Sequence, residues 1–567
     1  MNKLMSSKYW WAWLLAVLLV INYLASVFHF RIDLTTEKRY TLSQPTKKLI
    51  RNLDDRVLIT FFLDGDMPAP FKNLSNSAKE LLEEFRELGK NNVQLKFGRP
   101  GEGMNDTAKL SYIKYLEDSL GLKPTNVQVQ AGEGESQEER LVYPGALVSY
   151  KDKEMVINLL EGQSMTGGYQ ALSNTESLLE YKFASTIEKL RTDSVTAIGY
   201  LLGNGEPLSY NVYDLVERTI KPNYGFAWVP IDSVPMIPLD FHALVIVKPT
   251  KPFNDQQKLK IDQYIMHGGK VIWMIDQLYA EMDSLVRSES DFVAFDRGLN
   301  LDDQLFKYGV RINQDLVQDI QCDKLPQVVG NYGDKPQVEL IPWPYFPILS
   351  SYSGHPIAKN LDHVLSIFPN SIDTVGSGDI KKTVLLATSA TSRSLSTPAI
   401  VSLNSAKTKE DLRTFNRKNI PIAMLLEGKF PSLYSNRLSK SKADSLARYG
   451  SPFLPSSPEN KMIVVSDADI VSNVFTEKEG PLQMGENQFS GYKYANREFF
   501  INCIEYLTNP SGILEARAKD FSLRLLDPKK VEQDKSLWQV VNIIVPIFII
   551  IIFGFIYQFL RKRKYQQ

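Results

Sequence analysis

Residues 243–276 read ALVIVKPTKPFNDQQKLKIDQYIMHGGKVIWMID. The stretch opens and closes with continuous apolar runs, at 243–247 and 271–275, the second within a strand predicted at 270–275. Strands that are buried on both faces of a parallel sheet have such runs. Between the runs, Asn254 and Gln257 have the spacing of a helix start, and a Gly-Gly pair marks the end of that helix. The stretch therefore predicts a strand–helix–strand unit in an α/β fold with a parallel sheet.

The same alternation extends on both sides of this stretch. A strand at 195–202 runs into a glycine-rich turn, and further strands are predicted at 383–387, 422–426 and 462–465. We assign residues 175–510 to one parallel-sheet α/β domain of a flavodoxin-like or glutamine-amidotransferase-like type. The irregular stretch near 283–368, rich in proline and aromatic residues, is predicted to be an insertion in it.

A smaller unit is predicted at 56–165. Its order of strand, helix, strand, helix and hairpin resembles that of a thioredoxin-like domain. This unit contains no Cys-x-x-Cys motif. We therefore expect a binding or packing module without redox chemistry.

Both ends of the chain carry long apolar stretches, at 10–30 and 537–560. Each is long enough to cross a hydrocarbon core of about 30 Å as a helix. For the first stretch a cleaved signal peptide is the alternative, but the apolar run is longer than such peptides usually have. Residues 31–55 and 511–536 would then form a membrane-proximal collar and linker.

Basic residues flank each predicted span on the side of the nearer chain terminus. Lys3 and Lys8 precede the first, and the run 561–564 follows the second. The positive-inside rule places both termini, 1–9 and 561–567, in the cytoplasm. In a bacterium this predicts a two-pass protein of the inner membrane with a periplasmic body.

Composition excludes several classes of function. Among 567 residues, Lys plus Arg and Asp plus Glu are 65 each, which gives no bias toward nucleic acid. The two cysteines, Cys322 and Cys503, could form a bridge in an oxidising compartment, but unpaired buried thiols are favoured. Fold stability must then come from packing.

No motif for catalysis or for a cofactor is present in the sequence. The chain has no phosphate-binding loop of the Walker A type and no G-x-S-x-G nucleophile elbow. Its five histidines form no H-x-x-x-H pair. We therefore expect no enzymatic activity, no metal site and no cofactor.

Polar residues after the predicted strands form the candidate site, because open α/β sheets bind ligands at the carboxyl ends of their strands. One hypothesis is a ligand pocket with carboxylate acceptors, or a cation site built from oxygen ligands. The other is structural: glycines form tight turns, and Asp and Ser cap the following helices. The candidate residues are Gly203, Asn204, Gly205, Glu206, Asp276, Ser466, Asp467 and Asp469.

Several segments together carry a family resemblance over nearly the whole chain. They include RIDLTTEKRYTLS (31–43), GYLLGNGEP (199–207), LLEGKFPSLYSNR (425–437), VVSDADI (464–470) and LRLLDPKK (523–530). The chain resembles the GldG family, the gliding-motility-associated ABC transporter auxiliary subunits of the Bacteroidota. Members of that family usually have Gly-His-Gly-Glu where this chain has residues 203–206, so a histidine role there is absent.

The resemblance implies a subunit that works with a multi-span permease (GldF-like) and a separate cytoplasmic ATPase (GldA-like). We therefore expect a non-enzymatic auxiliary subunit that couples the transporter to periplasmic partners or ligand. The alternative is a membrane-anchored small-ligand receptor or hydrolase that uses Glu206, Asp276 and Asp467.

Overall fold

The computed structural model describes residues 15–20, 22, 41–65, 67, 69–130, 137–160, 169–192, 195–288, 291–333, 335–376, 378–403, 409–518 and 528–565. The chain divides into two units, residues 1–520 and 521–567. The helices are α1 Gln44–Arg51, α2 Ala69–Gly89, α3 Asp106–Lys114, α4 Tyr169–Arg191, α5 Asp255–Met266, α6 Met282–Ser288, α7 Asp302–Tyr308, α8 Lys409–Arg413, α9 Lys440–Arg448, α10 Asn496–Thr508 and α11 Pro528–Tyr565.

Strands β1 to β6 belong to the first part of the large unit. They are β1 Val57–Phe61, β2 Val93–Phe97, β3 Thr125–Gln130, β4 Gln137–Val142, β5 Gly145–Tyr150 and β6 Lys153–Asn158. Four of them form a sheet in the order β2-β1-β5-β6, and β3 and β4 form a separate hairpin. β1 is parallel to β2 and antiparallel to β5. The structure adds the β3–β4 hairpin to the predicted order of strand, helix, strand, helix and hairpin, and the thioredoxin-like assignment stays a prediction.

A seven-stranded sheet forms the centre of the α/β body. Its strands, in spatial order, are β19 Lys381–Ala387, β22 Pro421–Pro431, β23 Ser456–Val465, β10 Val271–Met274, β9 Ala243–Val247, β7 Ala197–Leu202 and β8 Gly225–Pro230. The last five are mutually parallel. β22 runs antiparallel to both of its neighbours, β23 and β19, so β19 again has the direction of the five. If these five strands are numbered 1 to 5 along the chain, their spatial order from β8 is 2-1-3-4-5. This is the doubly wound order of flavodoxin-like sheets.

This sheet corrects the expectation of a purely parallel one. Short apolar runs such as 383–387 and 422–426 show that a strand is buried, but they do not show its direction. β22 extends to Pro431 and pairs with β23 back to Ser456, which makes a long antiparallel hairpin. Antiparallel neighbours need no crossover to the far end of the sheet, and here residues 432–455, which include α9, make the connection.

The region predicted as an irregular insertion contains strands. They are β11 Leu278–Tyr279, β12 Asp291–Asp296, β13 Val310–Ile312, β14 Asp315–Asp319, β15 Cys322–Tyr332, β16 Lys335–Leu349, β17 Val364–Leu365 and β18 Ile372–Thr374. β20 Ser392–Ser396 and β21 Ala399–Ser402 return to pair with β14 and β12. Its aromatic residues make a core of their own around Trp343, Tyr345 and Phe368. The last pair, β24 Phe475–Thr476 and β25 Gly480–Pro481, follows β23.

One continuous hydrophobic core joins the first sheet to the central sheet. It includes Ile59 and Phe85 of the first part, Phe183 and Ile187 of α4, and Val245 of β9. The other face of the central sheet packs on α5 and α7 around the fully buried Trp273. The two sheets are therefore held together through α4.

The second unit contains α11. Within it, Asp534–Arg563 is long and apolar enough to cross a membrane, and it is the one such helix among the residues that the structure describes. Most of the first predicted span, 10–30, lies outside the described residues. Residues 15–20 are helical and exposed.

The two cysteines are free, Cys503 buried and Cys322 half-buried. Burial raises the pKa of both thiols, that of Cys322 to about 12. This agrees with the favoured interpretation of unpaired thiols.

Candidate functional site

A lysine at the end of β9 gathers three carboxylates at the carboxyl edge of the central sheet. The Nζ of Lys248 lies 2.6 Å from Asp469 Oδ1, 3.1 Å from Glu281 Oε2 and 3.3 Å from Asp276 Oδ2. Arg297 forms a second ion pair with Glu281. The lysine side chain is only 13% exposed. We call Lys248, Asp276, Glu281, Arg297, Asp467 and Asp469 the Lys248 network.

Strand register explains why residues so distant in sequence meet here. Met274 of β10 pairs with Val247 of β9 on one side and with Val465 of β23 on the other. The residues just beyond these three ends therefore lie at the same level of the sheet. Asp276 and the Ser466-Asp467-Ala468-Asp469 turn then flank Lys248 at the carboxyl ends of their strands.

Most polar atoms of this group are already used by the protein itself. Asp276 Oδ1 accepts the amide of Ala468 at 2.6 Å, and Asp467 Oδ1 accepts the amide of Asp469 at 2.8 Å. The other oxygen of Asp467 accepts the amide of Ile367 at 2.7 Å and the hydroxyl of Ser366. Ser466 donates to the carbonyl of Asn370 at 2.5 Å. These bonds fit the turn-forming part of the structural hypothesis better than an open ligand pocket. Its helix-capping part does not apply here, because β11 follows Asp276 and irregular chain leads from Asp469 to β24.

The network contains four carboxyl groups and two cations, and three of the carboxyl groups, those of Asp276, Glu281 and Asp469, contact Lys248. Burial raises the pKa of Asp467 well above its usual range, and the nearby Asp469 and Asp276 raise it further. Burial likewise raises the pKa of Asp469 to about 6, against the attraction of Lys248. The carboxylates increase the pKa of Lys248 in spite of its burial. The network therefore holds a proton more readily than free carboxylates do.

We predict a stability change with pH from Asp469. A carboxyl whose pKa is higher in the folded state favours folding at low pH, and this contribution is lost as the pH rises from about 4 to about 6. Asp469→Asn cannot titrate. The difference in unfolding free energy, wild type minus Asp469→Asn, should therefore decrease across that pH interval, as measured by denaturant titration of the full chain in detergent.

Asp373→Asn is the matched control for this titration. The hydrogen bond from Asn313 and the ion pair with Arg311 lower the pKa of Asp373 below its usual 3.8. Its stabilising contribution is lost only at lower pH, so the corresponding difference should stay flat from pH 4 to pH 6. A flat profile for Asp469→Asn as well would show that Asp469 is not protonated in this range.

The second group of predicted residues forms a closed turn after β7. Glu206 Oε2 accepts the amides of Gly203 at 3.0 Å and Asn204 at 2.8 Å. The carbonyl of Asn204 accepts the amides of Thr250 and Lys251, both at 2.8 Å. These bonds join the turn to the segment that leaves β9, at the switch point between β7 and β9 where a sheet of this order would bind ligand.

Two acceptor atoms of this turn lack a partner. Glu206 Oε1 and Asn204 Oδ1 are buried and accept no hydrogen bond in the described part of the chain. Burial raises the pKa of Glu206, against the two backbone amides that favour its charged form. A carboxyl group that binds a proton more readily is one way to reduce the cost of that burial.

The acidic residues of this edge carry a signal in the sequence, whereas its two cations, Lys248 and Arg297, are not among the candidate residues. Lys248 directly follows the apolar run of β9, and Arg297 follows β12 in the insertion. Lys248 could have been identified from the sequence, because it immediately follows a buried strand at the same edge as two acidic strand ends. Arg297 had no such signal, because the pairing of β12 with β11 brings it to this edge.

The described residues contain no group of three or more His, Cys, Asp or Glu side chains placed to hold a metal ion. The oxygen ligands proposed for a cation site instead surround the ammonium group of Lys248. A lysine in the middle of the carboxylates occupies the position that a divalent cation would need.

Comparison with known proteins places this doubly wound body among transport proteins. Residues 196–503 match the family model described as ABC-type uncharacterized transport system. The match covers more than half of the chain, and the chain therefore belongs to this family of ABC transporter auxiliary proteins. Residues 36–149 match a domain of unknown function, DUF7088.

Two further similarities say less about the function of the chain. An uncharacterized protein of Borreliella burgdorferi (strain ATCC 35210 / DSM 4680 / CIP 102532 / B31) is 22% identical over 570 residues, 97% of this chain and 97% of that protein. A solved structure, the mmIFT52 N-terminal domain, aligns with a TM-score of 0.30 at 13% identity. The alignment covers 55% of this chain and 97% of the mmIFT52 chain.

Proposed function

We propose that this protein is a non-enzymatic auxiliary subunit of an inner-membrane ABC transporter complex of the gliding-motility type. In this proposal the body is periplasmic, is anchored by one helix at each end, and transmits motion between the transporter and partners or ligand outside. A multi-span permease and a cytoplasmic ATPase are its partners.

The proposal depends on one combination of features. The same chain has an α/β body of a transport-system family and a helix, Asp534–Arg563, long and apolar enough to cross a membrane. ABC transport systems contain permease and ATPase parts. Asn542 and Pro546 lie inside that helix, and polar or helix-breaking residues in a membrane helix are best tolerated against neighbouring helices.

The contacts already made by the carboxylates of the Lys248 network support a non-enzymatic role over the hydrolase alternative. A nucleophile or general base needs free access to a substrate, whereas Asp467 is fully buried and accepts three hydrogen bonds. The unpartnered Oε1 of Glu206 is the observation that favours the small-ligand alternative.

Co-purification tests the transporter assignment. The full chain, tagged after Gln567 and extracted from its native membranes in mild detergent, should bring down the permease and the ATPase. Asn542→Leu removes the polar group in the middle of the helix, where interhelical hydrogen bonds contribute about 0.6–2 kcal/mol. We therefore expect a several-fold lower recovery of the permease with this variant.

Ile549→Leu in the same helix is the matched control and should leave recovery unchanged, because it adds or removes no polar group. If wild type is recovered alone under conditions that keep other membrane complexes intact, the auxiliary-subunit proposal is wrong. Equal recovery with Asn542→Leu would instead reject only the contact through Asn542.

A further inference from the structure

The central sheet ends in an apolar edge strand, β8. In the described part of the chain, β7 is the one strand that pairs with β8. The sequence of β8 is GFAWVP, without a charged residue, and Trp228 is 39% exposed. An exposed apolar edge strand is a template for pairing with another strand, and natural proteins usually cover or charge such edges. β8 is therefore a candidate for strand pairing between chains.

The backbone hydrogen bonds of β8 show which of its groups face outward. The amide of Gly225 donates toward β7, to the carbonyl of Thr196 at 3.0 Å. Because successive residues of a strand turn their N–H and C=O groups to opposite sides, those of Phe226 and Trp228 face away from β7. In the described part of the chain, none of these four groups bonds to another segment. At the next outward position, Pro230 has no N–H, and its carbonyl is used by the following turn.

This edge is complementary to a second copy of itself. If two β8 strands pair antiparallel about Ala227, Phe226 of each copy lies opposite Trp228 of the other. A hydrogen-bonded antiparallel pair exchanges both N–H···O=C bonds, so the two pairs use every outward N–H and C=O group of Phe226 and Trp228. Centring the pairing on Trp228 instead would place Pro230, which has no N–H, opposite Phe226. The free groups therefore favour the register about Ala227.

The aromatic side chains of β8 match the same register. Phe226 and Trp228 lie on one face of the sheet, with their ring centroids 4.8 Å apart in an edge-to-face arrangement. Tyr200 of β7 contacts Trp228 edge to face at 5.0 Å. In the antiparallel pair each Phe226 would lie beside Trp228 of the other copy. Cross-strand aromatic pairs of this kind stabilise antiparallel sheets.

Charges on either side of β8 favour the antiparallel direction. Lys221 precedes the strand and Asp232 follows it, and both are exposed. Antiparallel pairing brings Lys221 of each copy toward Asp232 of the other, whereas parallel pairing would bring like charges together. Within one chain, Lys221 pairs with Glu217 at 2.5 Å, and Asp232 Oδ1 accepts from Gln257 at 2.9 Å. Exposed ion pairs such as that of Lys221 contribute little, so the lysine remains available to the second copy.

We propose that two copies of this protein associate through antiparallel pairing of their β8 strands, which joins the two central sheets into one continuous sheet. The interface uses the same patch on both copies, as two-fold symmetry requires. The proposal rests on the α/β body alone and does not depend on the transporter assignment. A strand of a different protein is the competing occupant of this edge, and it would leave the purified chain monomeric.

Ala227→Cys tests the pairing in the full chain purified in dodecyl maltoside. Ala227 would lie opposite its own copy at a non-hydrogen-bonded position, where Cα atoms are about 4.5 Å apart, within the range of a disulfide. Mild oxidation should therefore convert most of this variant into a covalent dimer, read on a non-reducing gel. Wild type should not cross-link, because burial raises the pKa of both native thiols, Cys322 and Cys503.

Ser233→Cys is the matched control. Ser233 is exposed just beyond the strand, and the proposed pairing places it at opposite ends of the ladder in the two copies. This variant should therefore stay monomeric on the gel. Equal cross-linking of Ser233→Cys and Ala227→Cys would overturn the proposal, as would a failure of Ala227→Cys to cross-link.

Trp228→Pro removes one outward amide from each copy, at an edge position where proline is tolerated. Two of the four bonds between the strands are then lost, together with the aromatic pairs. Sedimentation velocity in the same detergent should show a dimer for wild type and an association weakened by about tenfold or more for Trp228→Pro. Far-UV circular dichroism confirms that the variant is folded. A monomeric wild type, or an undiminished dimer of the folded variant, would overturn the proposal.

Charge reversal tests the direction of pairing. Lys221→Glu places two acidic groups together and should weaken the dimer several-fold. Adding Asp232→Lys restores opposite charges across the interface and should recover most of the association. A double variant that associates no better than Lys221→Glu alone would overturn the antiparallel arrangement.

Discussion

Replacing Lys248 with methionine should lower the free energy of unfolding by about 3–5 kcal/mol, the usual cost of removing one partner from a buried ion pair. The lysine is the shared partner of Asp276, Glu281 and Asp469, at 2.6 to 3.3 Å. Without it these carboxylates lose most of their compensating charge, while methionine keeps much of the apolar stem. Denaturant titration of the full chain in detergent measures the change.

Lys381→Met is the matched control. Lys381 also pairs with a carboxylate, Glu427 at 3.5 Å, but its side chain is 71% exposed. Exposed ion pairs contribute about 0–1 kcal/mol, so this variant should remain near wild type. Equal effects of the two substitutions would mean that water reaches the Lys248 network and screens it.

Gly205→Ala should have the second largest effect on stability. Gly205 has a φ of +78°, and a Cβ there would lie 2.2 Å from Thr250 Oγ1. The left-handed backbone costs an alanine about 1–2 kcal/mol. Overpacking against Thr250 adds about 1–3 kcal/mol, because that hydroxyl is held by the carbonyl of Gly205.

Gly103→Ala separates these two costs. Gly103 has a φ of +81°, and a Cβ there would meet no atom within 4 Å. The free energy of unfolding of this variant should therefore decrease only by the cost of the left-handed backbone, about 1–2 kcal/mol. If Gly205→Ala is no worse than Gly103→Ala in the same denaturant titration, then the turn after β7 is not pressed against Thr250 as the structure shows.

Local patterns predicted the elements that have a strong periodic or capping signal. The capping box of Asn254 and Gln257 forms as expected, with both reciprocal hydrogen bonds present. Ser43 caps α1 by accepting the amide of Thr46 at 3.4 Å. These signals depend on residues three or four positions apart, so a single sequence contains all the information needed.

Pairing over long distances could not be predicted in the same way. β12 and β21 meet across about a hundred residues, and β14 pairs with β20. Their sequences have little alternation to distinguish strand from loop. Proline and aromatic residues in 283–368 indicated irregularity, but the aromatic side chains instead build a separate core once the strands are paired.

The sequence by itself determined the α/β alternation of this transport-family body and the acidic and glycine-rich positions at its strand ends. It also identified the apolar stretch that becomes α11. Strand order, the antiparallel direction of β22, and the placement of Lys248 among the carboxylates were decided by the tertiary structure alone. The physical reason is that periodicity and capping are local, whereas an ion network depends on which distant segments the core brings together.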